Sequence, residues 1–521
     1  WDGYMSQIAF VDGQALGPTS FGETDSDTGQ WKPIDITGLT FGSNGYLLQG
    51  QDSSALGDDT SGNGNDFTSS GLAAADQMSD TPTNNQATLN PLWAGAGLSD
   101  GNLVATASGN SYQWAVSTFA VDDGGKWVAE FQKSSGTFGY VGLYQLGNHT
   151  ATTGNNYGYF YNLGTGEIVK NGSLVTDLGT GAANSLMRLE YDSATDTLEF
   201  FDDGSSIHSA TTGLSGHNSL HFGCAPYASG TIITAAFSPL SGTPTTDFKE
   251  LTSANLDDPT IADPKRYFDT LLYTGNGTTG QTVTGLESSS GTSWTPDWVW
   301  IKPRSAAYNS KLFDSVRTLG HSLESSTTNT EADLSAEFIA FADGGFQVDD
   351  NGSNNINQSG VTHVAWCWEA GGSGSSNTDG SVTSTVSAST TSGFSIVTWT
   401  HQTSSNYTVG HGLGAVPKMI LVKTRDQGTN WGVYHSDITV GNRLILNTTS
   451  AQTTGYWGAN TWNSTVFSIG SARDADGSDA VAYCFADIEG FSKFGSYEGN
   501  GSTDGPFVYT GFKPRFVMMK R

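Results

Sequence analysis

Short alternations of apolar and polar residues, separated by glycine-rich turns, run through most of this chain. They predict strands rather than helices. In WVAEF (Trp127 to Phe131), Trp127, Ala129 and Phe131 share one face and Val128 and Glu130 the other. YVGLY (Tyr140 to Tyr144), YGYFY (Tyr157 to Tyr161), LMRLEY (Leu186 to Tyr191) and LEFF (Leu198 to Phe201) follow at short spacing. Turn residues at Asp122 to Gly125, Asn171-Gly172 and Asp202 to Gly204 separate them. This pattern predicts a β-sandwich, two sheets packed face to face. Nearer the start, Met5, Gln7 and Ala9 lie on one parity and Tyr4, Ser6, Ile8 and Phe10 on the other. That predicts a strand within Tyr4 to Leu16, with Asp12-Gly13 as a turn. An acidic turn follows at Asp25 to Gly29. From Gly42 to about Pro91 the periodicity is weak, and this stretch is expected to pack irregularly through Tyr46, Leu47, Leu48 and Phe67.

A second pattern is long-range. PDWVWIKPR (Pro296 to Arg304) returns as PKMILVKTR (Pro417 to Arg425) and again as PRFVMMKR (Pro514 to Arg521). The upstream pieces YTGNG (Tyr273 to Gly277) and YEGNG (Tyr497 to Gly501) also match. Each copy has a Lys six residues after its Pro: Lys302, Lys423 and Lys520. The first two copies close alike, with AWCW (Ala365 to Trp368) and AYCF (Ala482 to Phe485). The distance from Lys to Cys is 65 residues in one and 61 in the other. Units of about a hundred residues are small domains rather than solenoid turns. Cys367 and Cys484 should occupy equivalent buried places. A third copy that breaks off at Arg521, in a chain that starts at Trp1 without Met, is expected of a piece of a longer polypeptide.

Composition fits many turns around aromatic cores. Gly numbers 67 of 521 residues, and there are 26 Phe, 19 Tyr and 14 Trp, whereas disordered chains lack such side chains. The expected fold class is all-β and multidomain, a concanavalin/SPRY-like β-sandwich followed by tandem repeated β domains. The expected division is 1–41, then an irregular connection over 42–95, a sandwich over 96–240 and a linker, in part helical, over 241–267. The first repeat follows over 268–372, a Gly/Ser/Thr linker over 373–393, the second repeat over 394–490, and the start of a third over 491–521. Charge is sparse and acidic, 51 Asp+Glu against 22 Lys+Arg, a formal net charge of −29. That argues against nucleic acid and against an anionic membrane surface as partner. No apolar run approaches the length of a membrane span. Three cysteines, Cys224, Cys367 and Cys484, far apart and flanked by apolar residues, read as small buried hydrophobes rather than a disulfide or zinc framework.

Three stretches carry family resemblances. WDGYMSQIAFVDGQAL (Trp1 to Leu16), with Phe21, Gly22 and Glu23, resembles the closing strand of a concanavalin-like jelly roll of marine-phage tail-fibre-like proteins. GKWVAEF (Gly125 to Phe131), YVGL (Tyr140 to Leu143) and TLEFF (Thr197 to Phe201) are similar to the SPRY family. The C-terminal repeats resemble a module of the same phage structural proteins. These resemblances imply a virion component, but no named receptor.

Candidate chemistry is thin. Glu190, with Arg188 and Asp192 nearby, could belong to a glycosidase pair, which needs two carboxylates flanking a sugar bond, but an acidic chain always offers such pairs. His217 and His221 are four apart in strand-like sequence. The glycines around Gly62 to Gly64 and Gly275 to Gly277 lack the Gly-Lys-Ser/Thr ending of a phosphate loop and read as turns. Asp59, Ser61 and Asn63, with Gly64 next, resemble the start of a calcium loop. Position 12 is Ser70 rather than Glu, so a plain Asx/Gly turn competes with that reading, and no other cofactor is implied. Trp300, Trp366, Trp368 and Trp431 could form a sugar-stacking platform, or, like Trp298 and Trp300, one face of a buried strand. Lys302 and Arg304, like Lys423 and Arg425, would cap strand ends and pair with carboxylates.

The expected function is that of a non-enzymatic virion protein: a tail fibre, appendage or surface decoration. It would be homo-oligomeric, would contact other virion proteins, and would bind a host surface glycan or receptor through many weak sites. A polysaccharide-degrading appendage and a secreted bacterial lectin-like adhesin are the alternatives.

Overall fold

The computed structural model describes residues 5–24, 31–78, 80–81, 84–121, 125–146, 157–179, 181, 184–214, 219–256, 259–350, 356–402, 406–439, 441–455, 457–458, 462–470, 477–499, 501, 503 and 505–520. Trp1, Tyr4, the turn at Asp25 to Gly29, Asp122, His217 and Arg521 lie outside these residues. The chain forms two compact units, one mainly of Trp31–Asp257 with Ser496–Gly511, the other mainly of Asp258–Gly495 with Phe512–Arg521. No α-helix occurs among the described residues, only single 3-10 turns such as Ser253–Asn255 and Pro264–Arg266. The short helical piece expected between the sandwich and the repeats takes the form of these two 3-10 turns, each three residues long, the second opened by Pro264.

In the first unit two sheets, antiparallel but for the short strand Lys249–Glu250 that pairs parallel with Lys126–Ser135, form a sandwich. One runs in the order Ser173–Asp177, Glu167–Lys170, Gly158–Asn162, Phe138–Gln145, Leu220–Tyr227, Ala115–Ser117, Leu89–Ala94. The other runs Ser205–Thr211, Thr197–Asp202, Leu186–Asp192, Lys126–Ser135, Ile232–Ala236, Val104–Thr106, Gly97–Ser99. The predicted strands lie at the centres of these sheets because their aromatic and branched residues alternate. Trp127, Ala129 and Phe131 face the shared core with Leu143, Tyr159, Leu189, Phe200 and Phe222. The hairpin turns need left-handed backbone, which Asn171, Gly172, Asp203 and Gly204 adopt. Cys224 is buried in the same core.

The N-terminal part of this unit is less regular than its alternation predicts. Within Tyr4 to Leu16 only Ile8–Phe10 forms a strand among the described residues, paired with Tyr46–Leu48; a second ribbon pairs Gly22–Thr24 with Trp31–Pro33. Leu47 packs inward with Ile36 and Phe41, and Ala9 lies against them. Ile8 and Phe10 face out. The reason is size: three residues paired with three leave one face of the ribbon without a covering layer.

The second unit contains the two repeats. The first forms a four-stranded sheet in the order Phe268–Thr274, Thr362–Trp368, Trp298–Pro303, Lys311–Asp314. The second has Phe394–Thr400, Asp479–Phe485, Met419–Thr424 and Gly432–His435 in that order within a larger sheet. The register agrees as well. Cys367 lies opposite Asp269 and Val299, and Cys484 opposite Ser395 and Ile420. Val299 and Ile420 each stand three residues after the module's Pro. Both thiols are free and buried, and burial pushes their ionisation far up. A small second sheet closes each core, Gln281–Thr284 with Gly345–Val348 and Phe338–Ala342 in one, Tyr407–Gly410 with Val466–Ile469 in the other.

Two expectations for this region are corrected. The Gly/Ser/Thr stretch over 373–393 is not a free linker. It contributes Ser375–Asn377 and Ser384–Ser389 to the edge of the second repeat's sheet. Val382, Ser384 and Val386 alternate inward there while Thr383 and Thr385 stay exposed, so small side chains still fill one face. The third copy forms no strand among its described residues. Phe516 packs on Trp366, Trp368 and Phe268, but Val517 and Met519 stay exposed. These two align with Val299 and Ile301, which are fully buried in the first repeat. In the first two copies this strand has a neighbour on each side, and among the described residues the third copy has none.

Candidate functional site

The signature lysines are caps for loop carbonyls. Lys302 Nζ donates to Tyr308 O at 2.5 Å. Lys423 Nζ donates to Thr424 O at 2.8 Å and Gln427 O at 2.9 Å. Lys520 Nζ donates to Thr448 O. A backbone turn follows the strand in both complete copies, and the ammonium, buried at Lys423 and half-buried at Lys302, gives a donor to carbonyls of that turn. The expected strand-end capping is met by the lysines. Pairing with carboxylates is the role of Arg425.

Arg425 binds across to the other repeat. Its Nε and Nη2 donate to the two oxygens of Glu331, at 3.0 and 2.8 Å. Glu331 also accepts from Arg317 Nη1 at 2.7 Å. Arg317 is fully enclosed. Its Nε donates to Asp314 at 2.6 Å, and its Nη2 donates to Leu312 O at 2.9 Å. Tyr483 of the second repeat donates its hydroxyl to Asp314 at 2.7 Å. Burial resists the charge on Glu331, yet the hydrogen bonds from Arg425 and the charge of Arg317 hold its carboxyl down at about 2. A carboxyl depressed in the folded state stabilises above its unfolded pKa, and that contribution is lost as pH falls from about 4.5 toward 2. Urea midpoints taken at pH 7, 5 and 3 should fall across the acid range. Glu331→Gln should be weaker at pH 7 and lose less between pH 5 and 3. An unchanged slope in that variant would remove Glu331 from the cause.

Tryptophans are the other half of this contact. Trp298 stacks on Tyr483 at 4.2 Å and 18° and lies 5.5 Å from Phe394. Trp368 and Trp431 are buried in the same cluster, with Trp300 and Trp366 at its margin. The proposed sugar platform is thus the packed seam between two repeats. A hollow of about 320 Å³ beside it is lined by Asp297, Asp314 and Arg317. Asp297 accepts from the Ala370 and Gly372 N–H groups at 2.8 and 3.1 Å, so its charged walls are already bonded within the chain.

Residues 263–521 match the family model DUF7483, a domain of unknown function. The matched region takes in both repeats and the third start. No curated protein matches the chain. Among solved structures it is similar to the SPRY domain of human HERC1, at 13% identity over 31% of this chain and 98% of that one, with a TM-score of 0.24. It is likewise similar to the PSpry domain of TRIM65, at 15% identity over 29% of this chain and 90% of that one, with a TM-score of 0.24. Both likenesses are weak, and the sandwich stands on its own strand pairing.

In the sandwich the candidate Glu190 holds a strap, together with its strand neighbour Glu130. Glu130 accepts from the Ser241 and Gly242 N–H groups at 2.7 and 2.8 Å. Glu190 accepts from Thr245 N–H at 2.8 Å and lies 3.0 Å from Arg188 Nε. Arg188 Nη1 donates to Thr243 O at 2.6 Å. A Cβ on residue 242 would come within 2.7 Å of Glu130 Oε1, so a side chain there would push the carboxylate off the strap. Asp192 lies apart, 3.8 Å from Lys126. His221 is buried, with Nδ1 2.8 Å from Ser117 O, and burial pushes its pKa down to about 4.

The calcium-like residues come together but turn to the chain itself. Asp59 Oδ1 accepts from Leu47 and Ser61 N–H, and Oδ2 from Asn65 N–H and the Ser61 hydroxyl. Partial burial opposes ionisation, but these donors bring the Asp59 carboxyl to about 2. Asn63 Nδ2 donates to Gly42 O and Gly45 O. Gly62 and Gly64 take left-handed backbone. That is an Asx/Gly turn clamping a neighbouring loop.

What the turn presents is an aromatic patch. Phe10 stacks on Tyr46 at 5.6 Å, and Phe67 meets Tyr46 edge-on at 4.8 Å. Phe10 is 48% exposed and Phe67 50%. Phe67 was expected to pack inward, and it does so only through one edge. Alternation could have flagged Phe10, which shares outward parity with Ile8. The partnership with Phe67 has no sequence signal, because it depends on the turn at Asp59.

Proposed function

We propose that this chain is a non-enzymatic virion structural protein, a tail fibre, appendage or surface decoration on the extracellular particle, that contacts host surface glycans multivalently. The observation that carries this reading is the module duplication, kept in strand order, register and capping lysine, together with the sequence resemblance of those repeats to phage structural proteins. The catalytic candidates Glu190 and His221 are committed to holding backbone, which supports a structural role. The exposed Phe10–Tyr46–Phe67 patch offers flat apolar rings of the kind that stack on sugar faces. One such patch gives weak affinity, and linking copies raises apparent affinity by about 10²–10⁴ without new contacts.

The test compares monomeric and bead-displayed protein on candidate host cells, alongside release of reducing sugars. Binding should be weak for the monomer and strong for beads, and Phe67→Ala should reduce it in both. Sugar release would replace this reading with the depolymerase. No binding in either format would leave a spacer or decoration.

A further inference from the structure

The first repeat's sheet ends in an open edge, and the second repeat shows what such an edge accepts. Strand Phe268–Thr274 occupies the position that Phe394–Thr400 holds in the second copy. There, Ser384–Ser389 pairs along the outer side, with Ile396 opposite Ser387 and Val397 opposite Val386. In the first copy, no described strand pairs with the outer side of Phe268–Thr274. The residues that bracket it, Tyr267 and Gly275, bond to the inner neighbour through Glu369 and Val361. By alternation, residues 268, 270, 272 and 274 direct their N–H and C=O groups outward. Thr270 N–H is met only by the side chain of its neighbour, Asp269.

This edge also lacks the usual defences. Its seven residues, FDTLLYT, contain no Pro and no Lys, and its inner pairing runs through all seven without a bulge. Leu272 is 65% exposed on it. The other apolar edge, Ser173–Asp177, is different: a register shift interrupts its inner pairing, which is a known way to blunt an edge.

We propose that this edge joins a second copy of the chain, strand Phe268–Thr274 to its twin, antiparallel about a twofold axis at Leu271. The register is fixed by the outward residues. Thr270 lies opposite Leu272 of the partner subunit and Phe268 opposite Thr274 of the partner subunit, so the outward groups face donors and acceptors; the Thr274 C=O, which already accepts from Gln281 Nε2 at 3.0 Å, marks the end of the ribbon. The strand carries a single acid, Asp269, which lies opposite an uncharged tyrosine in this register and is already bound by Arg515 at 2.8 Å. A chain of net charge −29 can therefore meet itself here without bringing carboxylates face to face. The two four-stranded sheets become one continuous sheet. The result deepens the proposed function by doubling the copies per assembly, but it rests only on the edge geometry.

Sedimentation equilibrium on the full chain tests it. The expected result is a monomer–dimer equilibrium. Leu272→Lys and Thr270→Pro should each weaken association by at least tenfold, with circular dichroism unchanged. Leu174→Lys, on the bulged edge, should leave association as it was. A monomer at all concentrations overturns the proposal, as does a dimer that ignores both edge substitutions or responds equally to Leu174→Lys. Loss of glycan binding with the dimer intact would strike the proposed function and leave this inference standing.

Discussion

Replacing Arg317 with alanine should destabilise the paired repeats by about 3–5 kcal/mol, the usual cost of removing one partner from a buried ionic cluster. The substitution leaves Asp314 buried with only Tyr483 and backbone N–H groups as donors. It also takes one of two guanidinium groups from Glu331. The loss is expected in urea unfolding followed by tryptophan emission, since Trp298 and Trp431 lie in the adjoining cluster. Replacing Asp314 and Arg317 together by Leu and Met should cost much less, because no uncompensated charge remains. If the double variant is as weak as the single one, packing rather than charge explains the effect.

Trp127→Ala should cost about 3–5 kcal/mol in the sandwich, the range for deleting a large aromatic from a core. Trp127 is 4% exposed and sits among Ala129, Phe131 and Tyr191 on the central strand. Its indole also fills the space beside Gly125, where a Cβ would come within 2.5 Å of Nε1. Trp127→Phe should recover much of the loss, since Nε1 has no hydrogen-bond partner among the described residues to forfeit. An unchanged melting temperature for Trp127→Ala would mean that the strand face is misassigned.

These two sites differ in how far the sequence reveals them. Trp127 declares its face through parity with Ala129 and Phe131, because a strand with one buried side writes its geometry locally. The equivalence of Cys367 and Cys484 is legible for a similar reason: a repeated register in sequence becomes a repeated register in the sheet. Arg317 gives no such signal. Its partners lie 14 residues away at Glu331 and 166 away at Tyr483, and only the meeting of two repeats brings Tyr483 within reach. The strand at Ser384–Ser389 falls between these cases. Its alternation is present, but Ser, Thr, Val and Ala make it faint, and composition reads as linker. The third copy misleads in the opposite direction. FVMMK has the pattern of a strand, but pattern alone supplies no neighbours to pair with.

The seam between the repeats carries a consequence for how such arrays can lengthen. Its two sides descend from one module, yet they have diverged into a lock and a key. By alignment on the shared Pro, His435 stands where the first copy has Asp314, and Ile438 where it has Arg317. The first copy therefore cannot clasp another first copy in this way, nor a second copy another second. A seam of this kind therefore needs one copy of each kind, side by side.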